Sequence, residues 1–185
     1  CGLPNDKIIL VSFNKPYKIE PEIFTSWMNI LKQVPNAILW IYVNSEIAKK
    51  NLLREAKRLK VGKEKLVFMG NTEYPGYLAR IRLADLVLDT TIYNGGATTG
   101  DVLRMGVPVI TLKGKHFLSR MSESMLRVAG LAELVTKNLH EYETMAIKLA
   151  STPSKLGSLK KNLGQLLDAS QYAKNLEDAY SQIAV

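Results

Sequence analysis

The chain has 185 residues, of which 46% are hydrophobic and 23% charged, the balance of a single globular domain with a full apolar core. Its longest apolar runs, 8–11 and 37–43, fall far short of the roughly 20 residues a membrane-spanning helix needs, and the opening CGLPND has none of the character of a signal peptide. The formal net charge is +8, and the single cysteine, at position 1, excludes an internal disulfide framework and suits a reducing, cytoplasmic compartment. The missing initiator methionine suggests a piece of a longer chain.

In chain order, 7–14 (KIILVSFN) is a continuous apolar run suited to a strand covered on both faces. After the turn 14–18, Pro21 opens a helix to Gln33 on which Ile23, Trp27, Ile30, Leu31 and Val34 form one buried stripe. A second strand follows at 37–43, then a basic helix capped by Asn44 or Ser45 and running to about Lys60. The pattern continues with a strand at 65–69, a helix at 74–83, a strand at 85–89, and a helix from about Thr98 to Met105 closed by Gly106. A strand at 107–112, a helix at 117–128 and a short strand at 133–135 complete a sheet core spanning about 6–136. Three helical stretches, 138–150, 154–167 and 171–184, close the chain, with breaks at Thr152-Pro153 and near Ala169-Ser170.

Alternating strands and helices with short links predict an α/β fold, a doubly wound, Rossmann-like parallel sheet of about six strands with C-terminal helices. The right-handed crossover then gathers the loops 13–18, 69–77, 89–98 and 112–120 on one sheet edge, where ligands bind in such folds.

The most informative stretch is LDTTIYNGGATTGDVLRMGVPVIT, 88–111. A loop of small residues, including Gly95, Gly96, Ala97, Thr98 and Thr99, lies between a buried strand and a helix, the arrangement in which free first-turn N–H groups hold phosphate. Lys15 and Lys18, on the same edge, are candidates to neutralise phosphate charge. Asp101 is placed to accept from ribose hydroxyls, and Tyr74 and Tyr77 to stack on a base. Side-chain catalysis has little support: His116 and His140 are the only histidines, no nucleophile elbow is present, and no Cys/His cluster has metal-ligand spacing. The basic run 49–65 holds Lys49, Lys50, Arg54, Lys57, Arg58, Lys60, Lys63 and Lys65 with no aromatic residue to stack on bases, so it reads as a solvated helix face and not as a nucleic-acid surface.

Taken together, FNKPYK at 13–18, LAD at 83–85 with LDT at 88–90, YNGGATT at 93–99, GVPV at 106–109 and Ser119-Arg120 resemble the C-terminal half of the catalytic region of O-linked N-acetylglucosaminyltransferases, SPINDLY-like and bacterial tetratricopeptide-bearing members included. The resemblance covers essentially the whole chain. It implies the donor-binding domain of a two-domain, inverting GT-B glycosyltransferase that takes UDP-GlcNAc without a metal or other cofactor. By the same resemblance, Lys18 contacts the donor diphosphate with Lys15 close by, Gly96, Ala97 and Thr98 offer backbone and hydroxyl groups to the phosphates, Asp101 holds the ribose, and Thr72, Tyr77 and Arg80 form the uracil slot. The polypeptide acceptor, the catalytic base and the repeats would belong to upstream regions. The family commonly has His where Tyr77 stands, a basic residue at Tyr74, and His or Thr at Gly96 and Ala97. Those departures leave two alternatives open: a GT-B transferase for another nucleotide or acceptor, and a catalytically degenerate interaction domain.

Overall fold

The computed structural model describes residues 2–163 and 169–183, and its core is one six-stranded, wholly parallel sheet. The strands are β1 (Ile8–Ser12), β2 (Ala37–Tyr42), β3 (Leu66–Met69), β4 (Leu86–Leu88), β5 (Val109–Leu112) and β6 (Val135–Thr136), in the order β3-β2-β1-β4-β5-β6. Their residues are buried almost throughout because helices cover both sheet faces. The helices are α1 (Pro21–Gln33), α2 (Glu46–Arg58), α3 (Tyr74–Ile81), α4 (Gly96–Arg104), α5 (Met121–Val128), α6 (Leu139–Ala150), α7 (Pro153–Asn162) and α8 (Ala169–Ile183). β1 and β4 pair side by side, Leu10 with Leu86 and Val11 with Val87, while the chain winds away from them in opposite directions. The crevice at their C-terminal ends is therefore the topological switch point of the sheet.

The predicted stripe of α1 is buried, with Phe24 and Met28 buried beside it. The stripe is wide because α6 packs on α1 from outside: the Trp27 indole donates to the Tyr142 hydroxyl at 3.2 Å, and both side chains are fully buried. Large aromatic side chains such as these contribute about 3 kcal/mol each on removal from water. Ser45 caps α2 through its hydroxyl, and Asn138 caps α6 by accepting the Glu141 N–H at 2.8 Å. Gly106, at φ 77°, takes the left-handed conformation that ends α4.

Several boundaries differ from the sequence pattern. β5 starts at Val109, because Val107 still donates to Val102 of α4 and Pro108 has no N–H for a ladder. The helix expected at 117–128 is a 3-10 turn, Phe117–Ser119, followed by α5, because Arg120 leaves helical geometry while Gly114 donates to the Ser119 carbonyl. Residues 132–134 form another 3-10 turn, which displaces the sixth strand to Val135–Thr136. α8 begins at Ala169, inside the expected break. The expected helix residues 164–167, together with Ala184 and Cys1, lie outside the described residues. No helix among the described residues is long and apolar enough to cross a membrane.

Candidate functional site

Asp89 directly follows β4, and its side chain is buried at 1% exposure. A carboxyl group is tolerated there only because donors surround it. Oδ1 accepts from Asn14 Nδ2 at 3.0 Å and from the Thr90 and Gly95 N–H groups at 2.9 Å each, while Oδ2 accepts from the Thr111 hydroxyl at 2.8 Å. Burial pushes the carboxyl above its usual range, against hydrogen bonds from Ser122, Thr111, Asn14 and Thr90. The Tyr142 hydroxyl donates to the Asp89 carbonyl at 2.9 Å, so the Trp27–Tyr142 pair reaches this loop as well. Gly95 has no room for a side chain: a Cβ would lie 2.5 Å from the Thr99 hydroxyl oxygen and 3.1 Å from Asn14 Oδ1. Asn94 is buried, donates from Nδ2 to the Thr90 carbonyl at 2.7 Å, and offers its own carbonyl to Lys18. The loop after β4 is thus fixed before any ligand arrives.

This fixed loop aims the start of α4 into a cavity of about 530 Å³ at the switch point. The N–H groups of Gly96, Ala97 and Thr98 have no intramolecular acceptor among the described residues, and all three residues line the cavity. Facing them, Lys18 donates to the Asn94 carbonyl at 2.8 Å and lies 3.6 Å from the centroid of the Tyr93 ring. Partial burial lowers the Lys18 pKa, the neighbouring Asp89 acts in the opposite sense, and Lys15 lowers it further. Lys15 is exposed at the same wall. Two cations and three unpaired N–H groups around one cavity are an arrangement suited to an anion.

The other wall is aromatic. Tyr77 is half-buried against Phe13, with ring centroids 6.3 Å apart, and against Tyr74 at 6.1 Å. Burial, with the Asp101 charge second, pushes its phenol up to about 12, so it presents a neutral ring and a hydroxyl donor. The Tyr74 hydroxyl donates to Asp101 Oδ1 at 2.8 Å. Thr72 lines the same wall, where Gly76 leaves room for its hydroxyl.

The cavity therefore brings together Lys15, Lys18, Thr72, Tyr77, Gly95, Gly96, Ala97, Thr98 and Asp101. Two of the expected residues stand apart. Thr99 is buried, with its hydroxyl 2.9 Å from that of Ser122 and its N–H bonded to Gly95. Arg80 sits behind the wall, its guanidinium 3.5 Å from the Gly70 carbonyl. Gly95 contributes to the lining, but its N–H is committed to Asp89. His116 lines a second cavity of about 390 Å³ with Lys115 and Arg120, and His140 is exposed on α6. The sequence gives no separate role to Asn14, Tyr42, Asn71, Tyr93 and Met121, which line the cavity, or to the buried Asp89 behind it. A carboxylate closing an apolar strand was the available signal for Asp89. The basic run on α2 faces solvent, with Ala56 the buried residue of that helix. Among the described residues, no group of three His, Cys, Asp or Glu side chains has the arrangement to hold a metal ion.

The glycosyl transferase family 41 model matches residues 1–176. A probable UDP-N-acetylglucosamine–peptide N-acetylglucosaminyltransferase of Arabidopsis thaliana is 37% identical over 97% of this chain, and the aligned part is 19% of that protein. Among solved structures, an O-GlcNAc transferase of Thermobaculum terrenum superposes with a TM-score of 0.89 at 30% identity, over 96% of this chain and 36% of that one. An Anabaena protein solved with UDP and glucose shares the fold at a TM-score of 0.67 and 15% identity, over 96% of this chain and 49% of that one. The chain spans about a fifth of the length of the Arabidopsis relative. The six-stranded parallel sheet and this match over nearly the whole chain place the protein in glycosyl transferase family 41.

Proposed function

We propose that this chain is the donor-binding half of an inverting transferase that moves N-acetylglucosamine from UDP to a polypeptide hydroxyl. The observation that carries the reading is the convergence of Lys15, Lys18 and the open N–H groups of Gly96, Ala97 and Thr98 on one cavity at the sheet's switch point. The family match and the relatives named for UDP-N-acetylglucosamine support the same donor.

In the reaction, the acceptor oxygen attacks the anomeric carbon from the face opposite the diphosphate, and the bond from that carbon to the β-phosphate oxygen breaks. Negative charge then grows on the leaving diphosphate. Lys18 and the α4 terminus are already oriented towards it, which is the form of stabilisation that costs no rearrangement during the reaction. Asp101 accepts from the ribose, Tyr77 stacks on uracil, and Thr72 borders the base, with Arg80 behind that wall on the Gly70 carbonyl. The acceptor proton leaves to a base outside this chain, since His116 belongs to a separate cavity. On this account the diphosphate is held by protein cations and N–H groups, without a metal, cofactor or nucleic acid.

Calorimetry of the chain against UDP, GDP and ADP tests the reading. UDP binds in preference to the other two, and Lys18→Ala and Asp101→Ala each weaken UDP by about tenfold or more. Equal binding of the three nucleotides favours a transferase with another donor, and absence of binding to all of them overturns the proposal.

A further inference from the structure

Tyr74 is 53% exposed, yet its hydroxyl is committed: it bridges from the first turn of α3 to Asp101 Oδ1 in the second turn of α4. The ring that carries it is the outermost of a series. Tyr74 meets Tyr77 with planes inclined 33°, Tyr77 meets Phe13, and Phe13 packs edge-on against the buried Trp40 at 5.1 Å. The phenol is therefore held from the core outwards and placed at the mouth of the cavity that both Tyr74 and Asp101 line. An aspartate on a helix surface ordinarily samples several orientations, and one oxygen tied at 2.8 Å removes most of that freedom.

The bond has a second consequence. A cation beside Asp101 would neutralise the carboxylate, whereas a phenol orients it and leaves its charge in place. The raised pKa of the Tyr74 hydroxyl, caused first by its hydrogen bond to Asp101, agrees with a phenol that keeps its proton and donates. Oδ1 is occupied by the protein, and no hydrogen bond from the described residues ends on Oδ2. That oxygen remains to accept from a ligand hydroxyl.

We infer that Tyr74 is a positioning residue for ribose recognition, holding Asp101 so that Oδ2 accepts from a ribose hydroxyl of the bound nucleoside diphosphate and making the site select ribose over its deoxy forms. The inference rests on the nucleotide-diphosphate reading above and adds a residue to it. A ligand without ribose hydroxyls gains nothing from this orientation, so its affinity does not depend on Tyr74.

The test titrates the full chain with UDP, 2′,3′-dideoxy-UDP and inorganic pyrophosphate, comparing wild type, Tyr74→Phe, Asp101→Ala and the double variant. Tyr74→Phe weakens UDP by about fivefold, the effect of one charge-assisted hydrogen bond at a partly wet site, and leaves dideoxy-UDP and pyrophosphate unchanged. In the Asp101→Ala background the same substitution has no further effect on UDP, because the group it positions is gone. The inference is overturned if Tyr74→Phe leaves UDP binding unchanged, if it weakens all three ligands by the same factor, or if its effect persists in full without Asp101. A wild-type chain that binds neither UDP nor pyrophosphate overturns the nucleotide-diphosphate reading itself and this inference with it.

Discussion

Asp89 Oδ1 accepts the Gly95 N–H at 2.9 Å, and this one bond joins the residue just after β4 to the residue that caps the start of α4. A buried carboxyl group turns the chain so that the next three N–H groups point into the cavity and remain unpaired. The same geometry leaves no space at Gly95 for a Cβ.

Asp89→Ala leaves the donors of Asn14, Thr90, Gly95 and Thr111 without an acceptor in a dry site, so it should destabilise the chain by about 3–5 kcal/mol. Gly95→Ala should cost about 1–3 kcal/mol through the contact with the Thr99 hydroxyl. Urea unfolding measures both. In Gly95→Ala, which keeps the fold, nucleotide affinity falls as well because the α4 terminus shifts.

The Trp27–Tyr142 pair supports the loop from beneath. Tyr142→Phe removes the donor to the Asp89 carbonyl and leaves that oxygen and the Trp27 indole unpaired. The expected loss is about 1–3 kcal/mol, read as a lower urea midpoint with an unchanged slope.

Tyr77 stays neutral across the physiological range because burial pushes its phenol up to about 12. A histidine in its place would titrate near pH 6.5. The ratio of the Tyr77→His affinity for UDP to that of wild type should therefore vary between about pH 5.5 and 7.5, with tighter relative binding on the acid side, where the imidazolium adds a positive charge to the cavity that holds the dianionic ligand. Taking the ratio cancels the titration of UDP itself. A ratio that does not vary with pH would remove Tyr77 from the neighbourhood of the ligand.

Lys18 gives the opposite pH sense to a carboxylate. Its protonated form binds the anion, and burial lowers the pKa of the free amine. UDP affinity is therefore retained below that pKa and falls as the pH rises through it, with proton uptake on binding in that alkaline window. Lys18→Arg, which keeps its charge at all accessible pH, flattens the alkaline fall. A chelator added to the same titrations leaves UDP affinity unchanged if the protein alone neutralises the diphosphate.

Much of this is legible from residue order. Strand–helix alternation is enough for the doubly wound sheet, and the lysines after β1, the small-residue loop after β4 and the tyrosines of α3 all fall on the predicted edge. The failures have physical causes. Spacing puts Thr99 in the phosphate loop, but α4 starts at Gly96, which rotates position 99 onto the face buried against Ser122. Arg80 is two turns from the start of α3, and its long side chain ends on the Gly70 carbonyl behind the cavity wall. The break before α5 comes from closure of the 114–119 loop by the Gly114–Ser119 backbone bond, which the spacing of apolar residues does not reveal. Residue order makes Tyr74 a base-stacking candidate, and the structure adds that its hydroxyl holds Asp101, a contact between helices that spacing alone does not reveal.

We propose the start of α4 as a preorganised diphosphate site. Backbone amide chemical shifts followed during a UDP titration test it directly. Large, saturable shifts are expected at Gly96, Ala97 and Thr98, with smaller ones at Gly95 and Thr99, whose N–H groups are already bonded within the protein. Saturable UDP binding that leaves the three open amides unmoved would contradict it.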